Sequence, residues 1–155
     1  MTNTNQLNTD QTAAKIGKTL DLVMLIDDHD ISNFMAQQVV INTKIAKRSI
    51  VQPAGFSAIN YLLKHQENPN EIPNLIFLDL DMPVMNGFEF LLKFTELPAS
   101  ITSKCKIVIL SGFDKKEELE PWFKNKTIIF YMLKPLKPSN LEVFKQSEAY
   151  NMLFN

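Results

Sequence analysis

The sequence predicts an α/β domain built on a parallel sheet. After residue 19, short apolar runs alternate five times with helix-patterned segments. The most apolar runs lack the polar alternation of a strand with one wet face, so both sheet faces are expected to be covered by helices. A third observation concerns the residues that end the runs. Asp27 and Asp28 close Leu22–Ile26, Asp79 closes Leu75–Leu78, Ser111 follows Ile107–Leu110, and Lys134–Pro135 follows Ile128–Leu133. In a parallel sheet these side chains share the carboxyl edge, where open α/β sheets bind ligands.

Leu22–Ile26 is the first strand. Asp30 is placed to cap the helix that follows, in which Ile31, Phe34, Met35 and Val39 fall on one face. Ser49–Val51 reads as a short, weaker strand. Gly55 then introduces a helix with Phe56, Ile59 and Leu63 inward, ending in the turn-rich segment Glu67–Pro73. Leu75–Leu78 is the third strand, and Gly87 opens a helix with Phe88, Leu91 and Leu92 spaced for burial. After the fourth strand, Ile107–Leu110, Asp114 with Glu117 marks a helix start, and Leu119, Trp122 and Phe123 follow at helical spacing. Pro121 makes that helix short or kinked. Ile128–Leu133 is the fifth strand, and Pro138 starts a last helix around Leu141 and Phe144.

A chain of 155 residues, 45% apolar, has room for one compact domain with a sizeable core. Its net charge of −1 argues against non-specific nucleic-acid binding, which needs a basic footprint. The single cysteine, Cys105, rules out an internal disulfide and reads as a small buried hydrophobe. No apolar stretch approaches the roughly 18 residues of a membrane span. Residues 1–19, rich in Thr, Asn and Gln, read as a disordered polar leader without a signal-peptide core, so residues 20–155 form the domain and the expected location is the cytoplasm.

The edge set has a coherent chemistry. Three carboxylates (Asp27, Asp28 and Asp79) need a cation, and Mg²⁺ suits hard oxygen ligands together with phosphate oxygens. A carboxylate can attack phosphorus to give an aspartyl phosphate, a transfer that depends on positioning and charge neutralisation. Lys134 adds positive charge and Ser111 a hydroxyl donor. His29, beside the acids, reads as a solvent-facing loop residue that modulates local charge, and Met82 and Met85 as packing.

Residues 21–149 resemble the receiver domain of two-component response regulators, most specifically along Leu75–Gly87, Leu-Ile-Phe-Leu-Asp-Leu-Asp-Met-Pro-Val-Met-Asn-Gly. The resemblance implies a flavodoxin-like, doubly wound five-stranded parallel sheet of order 2-1-3-4-5 with helices on both faces. It makes Asp79 the phosphoacceptor. Asp28 becomes a direct ligand of Mg²⁺ (or of Mn²⁺ in its place), Asp27 a ligand directly or through water, and Asp81 a ligand through its backbone carbonyl. Ser111 becomes the switch hydroxyl, Tyr131 the switch aromatic and Lys134 the phosphate-binding lysine. Pro83 and Gly87 shape the acceptor loop, and the Lys134–Pro135 peptide is expected to be cis. Trp122 and Tyr131 mark a partner surface.

The implied function is a single-domain signalling switch in a histidine-to-aspartate phosphorelay. It is not an enzyme beyond its own phosphorylation and slow hydrolysis. Its implied partners are a histidine kinase or histidine phosphotransfer protein and a downstream protein, with no direct nucleic acid and no membrane insertion. A homodimer through the Tyr131 face is allowed by the resemblance but not required. Ser111 departs from the commoner Thr, and Asp81 adds a carboxylate at a variable position. Two alternatives use the same residues: a haloacid-dehalogenase-like phosphohydrolase acting through Asp79 and Asp81, and a phosphorylation-independent adaptor.

Overall fold

A computed structural model describes residues 18–154. Five parallel strands, β1 (Leu20–Ile26), β2 (Ala46–Gln52), β3 (Leu75–Asp79), β4 (Lys106–Ser111) and β5 (Ile128–Leu133), form one sheet in the order β2-β1-β3-β4-β5. The order reverses between β1 and β3, so the crevice at their carboxyl ends is the topological switch point. The fold class and strand order are those expected from the sequence.

Successive residues of each strand face opposite layers, which explains the unbroken apolar runs. Met24, Ile26, Ile76, Leu78, Ile107 and Ile109 pack into one core beneath α2 (Gly55–Lys64), α3 (Gly87–Thr95) and α5 (Lys116–Lys124). Val23, Leu25, Leu75, Phe77, Val108 and Leu110 pack into the other beneath α1 (Asp30–Thr43), α6 (Pro138–Lys145) and α7 (Glu148–Met152). A single helical turn, α4 (Ala99–Thr102), precedes β4 and buries Ile101. Each fully buried aliphatic or aromatic side chain contributes about 1.5–3 kcal/mol, so the two cores carry the stability of the sheet edge above them.

The helical faces differ from expectation in three places. In α1 the buried residues are Asn33, Ala36 and Val40, whereas Ile31, Phe34 and Met35 are more than half exposed. In α2, Gly55, Ala58 and Leu62 face the sheet and Phe56 faces solvent. In α3, Phe90, Leu91 and Phe94 are buried and Leu92 is not. Close helix–sheet approach explains α1 and α2: small residues let the backbone sit near the strands and turn the larger side chains outward.

Other elements are longer or start elsewhere. β2 has seven residues, because as an edge strand it tolerates the exposed Lys47 and Arg48. His29 rather than Asp30 is the N-cap residue of α1, and Lys115 rather than Asp114 that of α5. Asp114 instead accepts a hydrogen bond from the Lys116 amide at 3.0 Å. α5 is short, with nine residues, and runs through Pro121 to Lys124. Beyond the expected last helix, α7 buries Tyr150, whose hydroxyl donates to the Lys18 carbonyl at 2.7 Å. Of the expected leader, residues 1–17 lie outside the described residues. Cys105 is buried, and burial pushes its thiol pKa up.

Candidate functional site

β1 and β3 are adjacent, with Ile26 in register with Leu78, so the residues that follow both strands meet in one crevice. One ligand atom each from Asp27, Asp28, His29 and Asp79 lies within 4.8 Å of the others. Lys134, arriving from the end of β5, donates from Nζ to Asp27 Oδ2 at 2.6 Å and stands 3.2 Å from Asp79 Oδ2. Ser111 is fully buried at the end of β4, one residue past the partner of Asp79 in the ladder. The Lys134–Pro135 peptide is cis, and the Lys134 amide donates to the Ser111 carbonyl at 2.7 Å. The structure therefore brings Asp27, Asp28, Asp79, Ser111 and Lys134 to one edge.

The acceptor loop is tightly closed. The Asp81 amide donates to Asp79 Oδ1 at 3.2 Å, and the Gly87 amide to the Leu80 carbonyl at 2.9 Å. A Cβ at Gly87 would sit 2.7 Å from Leu80 Cα and 2.9 Å from the Asp79 carbonyl oxygen, so glycine is dictated by space. Pro83 helps turn the loop: its carbonyl accepts from the Met85 amide at 2.7 Å, and Val84 between them has φ 67°. Met82 and Met85 are buried in the core, as packing. The Asp81 side chain is exposed.

Charge in the crevice is unbalanced. Burial, together with the neighbouring Asp27 charge, raises the pKa of Asp79. Burial would also raise Asp27, but the Lys134 hydrogen bond and the His29 amide outweigh it and hold its carboxyl low. Burial works against the Lys134 ammonium, yet Asp27 and Asp79 together raise its pKa. One lysine thus pairs with two of the three carboxylates, Asp27 and Asp79. Asp28 Oδ1 has His29 Nδ1 and Asp79 Oδ2 has Lys134 Nζ at 3.2 Å each, but neither buried oxygen receives a directed hydrogen bond. Two under-satisfied carboxylate oxygens within ion-bridging reach fit a divalent cation with oxygen ligands.

Ser111 and Tyr131 share an acceptor. Ser111 Oγ donates to the Phe113 carbonyl at 2.7 Å and accepts from the Phe113 amide at 3.2 Å. The half-buried Tyr131 hydroxyl donates to the same carbonyl at 2.9 Å. Trp122 lies apart on α5, half-buried against the core. Asn33 is a site neighbour that sequence reading missed: buried on α1, it donates from Nδ2 to the Asp27 carbonyl at 2.7 Å. A polar residue on the sheet-facing stripe of α1 is the signal that could have found it.

This fold has known counterparts. Residues 23–144 match the response regulator receiver domain. The chain belongs to that family. A two-component response regulator from Cytophaga hutchinsonii is 26% identical, with a TM-score of 0.77 over 89% of this chain and 99% of that one. A response regulator receiver protein from Dyadobacter fermentans is 22% identical, with a TM-score of 0.71 over 86% of this chain and 97% of that one. A chemotaxis receiver from Borrelia burgdorferi, solved as a CheX-CheY-BeF3-Mg complex, is 16% identical, with a TM-score of 0.64 over 87% of this chain and 90% of that one. No curated protein sequence matches the chain. Among the described residues, no helix is long and apolar enough to cross a membrane. As a receiver the protein is a signalling switch of two-component systems, and the phosphohydrolase and adaptor readings are not favoured.

Proposed function

We propose that this receiver, spanning residues 20–155, takes a phosphoryl group onto Asp79 from a histidine-bound donor and relays that event through its surface. The observation that carries the reading is Asp79 itself. It is a buried carboxylate at the switch point, with one oxygen lacking a directed hydrogen bond and a lysine 3.2 Å away. An Asp79 oxygen forms the O–P bond as the donor's N–P bond breaks, and the electron pair stays on the donor imidazole. Asp27, Asp28, Asp79 and the Asp81 carbonyl would hold a divalent cation, Mg²⁺ by the chemistry of the donor set, which would supply charge neutralisation for the transfer.

Lys134 shifts from Asp27 toward the new phosphoryl oxygens. Ser111 turns its hydroxyl from the Phe113 carbonyl to the phosphoryl group, leaving that carbonyl to Tyr131 alone. The β4–α5 loop and the Tyr131 face then settle in a second arrangement that a downstream protein reads. A protein donor is favoured by Ile31, Phe34, Met35 and Val84, apolar side chains exposed on the elements that flank the acids.

The test is intact-mass analysis after incubation with Mg²⁺ and acetyl phosphate. One added phosphoryl group, stable in acid, labile in base and absent from Asp79→Asn, is expected. Labelling of Asp79→Asn at the wild-type level overturns the assignment.

A further inference from the structure

The acid cluster contains one nitrogen donor. His29 Nδ1 lies 3.2 Å from Asp27 Oδ1 and 3.2 Å from Asp28 Oδ1. Ligand atoms of Asp27, Asp28, His29 and Asp79 all fall within 4.8 Å of one another, a spread that one ion bridges at metal–ligand distances of about 2.0–2.6 Å. The backbone holds His29 in this place. As N-cap residue of α1 it is extended, its amide donates to Asp27 Oδ1 at 2.9 Å, and its carbonyl accepts from the Asn33 amide at 3.0 Å. Its side chain is 65% exposed, so the ring can reorient without disturbing the core. Asp79 Oδ2, buried in the same crevice, shares the single Lys134 ammonium with Asp27 and receives no directed hydrogen bond, while the buried Asp28 Oδ1 has the His29 ring beside it, so positive charge is short at the centre of the cluster.

We infer that His29 is a nitrogen ligand of the divalent ion, and that it biases this receiver toward borderline transition ions such as Mn²⁺ and Co²⁺ over Mg²⁺. The inference rests on the reading that the cluster binds a divalent cation. A neutral imidazole presenting the Nδ1 lone pair, with its hydrogen on Nε2, is a good ligand for first-row transition ions and a poor one for Mg²⁺, which prefers oxygen and retains its waters. Three carboxylates alone would discriminate less between these ions. A ring that merely supplied countercharge to Asp27 and Asp28 would change the affinity of every divalent ion by the same factor.

The experiment is calorimetric titration of the full chain with Mg²⁺, Mn²⁺ and Co²⁺, for wild type, His29→Ala and Asp28→Asn, with pulsed EPR of the Mn²⁺-loaded wild type and His29→Ala. His29→Ala is expected to weaken Mn²⁺ and Co²⁺ binding about tenfold while changing Mg²⁺ binding by less than about threefold. Nitrogen hyperfine coupling to Mn²⁺ should be present in wild type and lost in His29→Ala. Equal changes for all three ions, or no nitrogen coupling in wild type, overturn the role of His29. If Asp28→Asn leaves every affinity unchanged, the ion is not in this cluster and the underlying reading fails first.

Discussion

Three glycines surround the site region, and the space around each differs enough to rank their replacement by alanine. At Gly87 an added Cβ meets Leu80 Cα at 2.7 Å, Leu80 Cδ2 at 2.7 Å and the Asp79 carbonyl oxygen at 2.9 Å, against 3.4 Å for the start of ordinary contact. Backbone must therefore move by about half an ångström, and overpacking of this kind costs about 1–3 kcal/mol. Replacing a helical glycine returns at most about 0.5–1 kcal/mol at this first helical position, so Gly87→Ala should lose up to about 2.5 kcal/mol net. At Gly55 the obstacle is Met85 Sδ at 2.7 Å, the far part of a flexible side chain that can turn aside, so the change should stay within about 0.5 kcal/mol of zero. At Gly112 nothing lies within 4 Å and φ is not positive, so alanine should stabilise by about 0.4–1 kcal/mol through the unfolded chain. Urea melts of the three variants measure this order. Because the obstacle at Gly87 is the backbone of the acceptor strand, its variant should also bind divalent cations more weakly, whereas Gly112→Ala should not. Equal stability of Gly87→Ala and Gly112→Ala would refute the close-approach argument.

Other consequences follow from charge and burial. Ionised Asp79 opposes folding, since its folded pKa lies above the unfolded value. Its favourable contribution is complete at acid pH and lost as pH rises through the folded pKa. Asp79→Asn should therefore raise the unfolding midpoint at pH 7 in the absence of divalent cations, with the gain vanishing in acid; a loss at pH 7 would contradict the assigned charge imbalance. Tyr150 is buried and its pKa is pushed up to about 12 from 10.0, so stability present below pH 10 should fall by about 3 kcal/mol between pH 10 and 12. Alkaline melts of Tyr150→Phe should lack that fall. Lys134→Ala leaves Asp27 and Asp79, whose side chains are 10% and 3% exposed, without their lysine, at a cost of about 3 kcal/mol. Added Mg²⁺ should recover more stability in that variant than in wild type, as measured by thermal melts.

The strands were legible because each apolar run is buried on both faces, and the edge acids because they end those runs. Helix orientation was not. In α1 the larger apolar residues Ile31, Phe34 and Met35 point outward, since the stripe against the sheet is set by close approach and by the bond from Asn33 to the Asp27 carbonyl. Spacing alone cannot tell an exposed apolar face from a buried one. α7 lacks a readable apolar stripe because Tyr150 is its one fully buried residue, although Ser147, which caps it by accepting from the Tyr150 amide at 3.3 Å, is a readable start signal. His29 faces solvent, as its sequence context suggests, but its contact with both acids depends on the turn between β1 and α1. The joint placement of Asp27, Asp79 and Lys134 was readable because parallel topology sends every strand end to one edge.

The central claim is that Asp79, among four acids close in sequence or space, forms the bond to phosphorus. Borohydride reduction of the acetyl phosphate-treated protein converts an acyl phosphate to an alcohol, and peptide mapping then locates it. The account predicts homoserine at position 79 in the Mg²⁺-containing sample and none without a divalent cation. Homoserine at position 27, 28 or 81, with Asp79 unmodified, would contradict it.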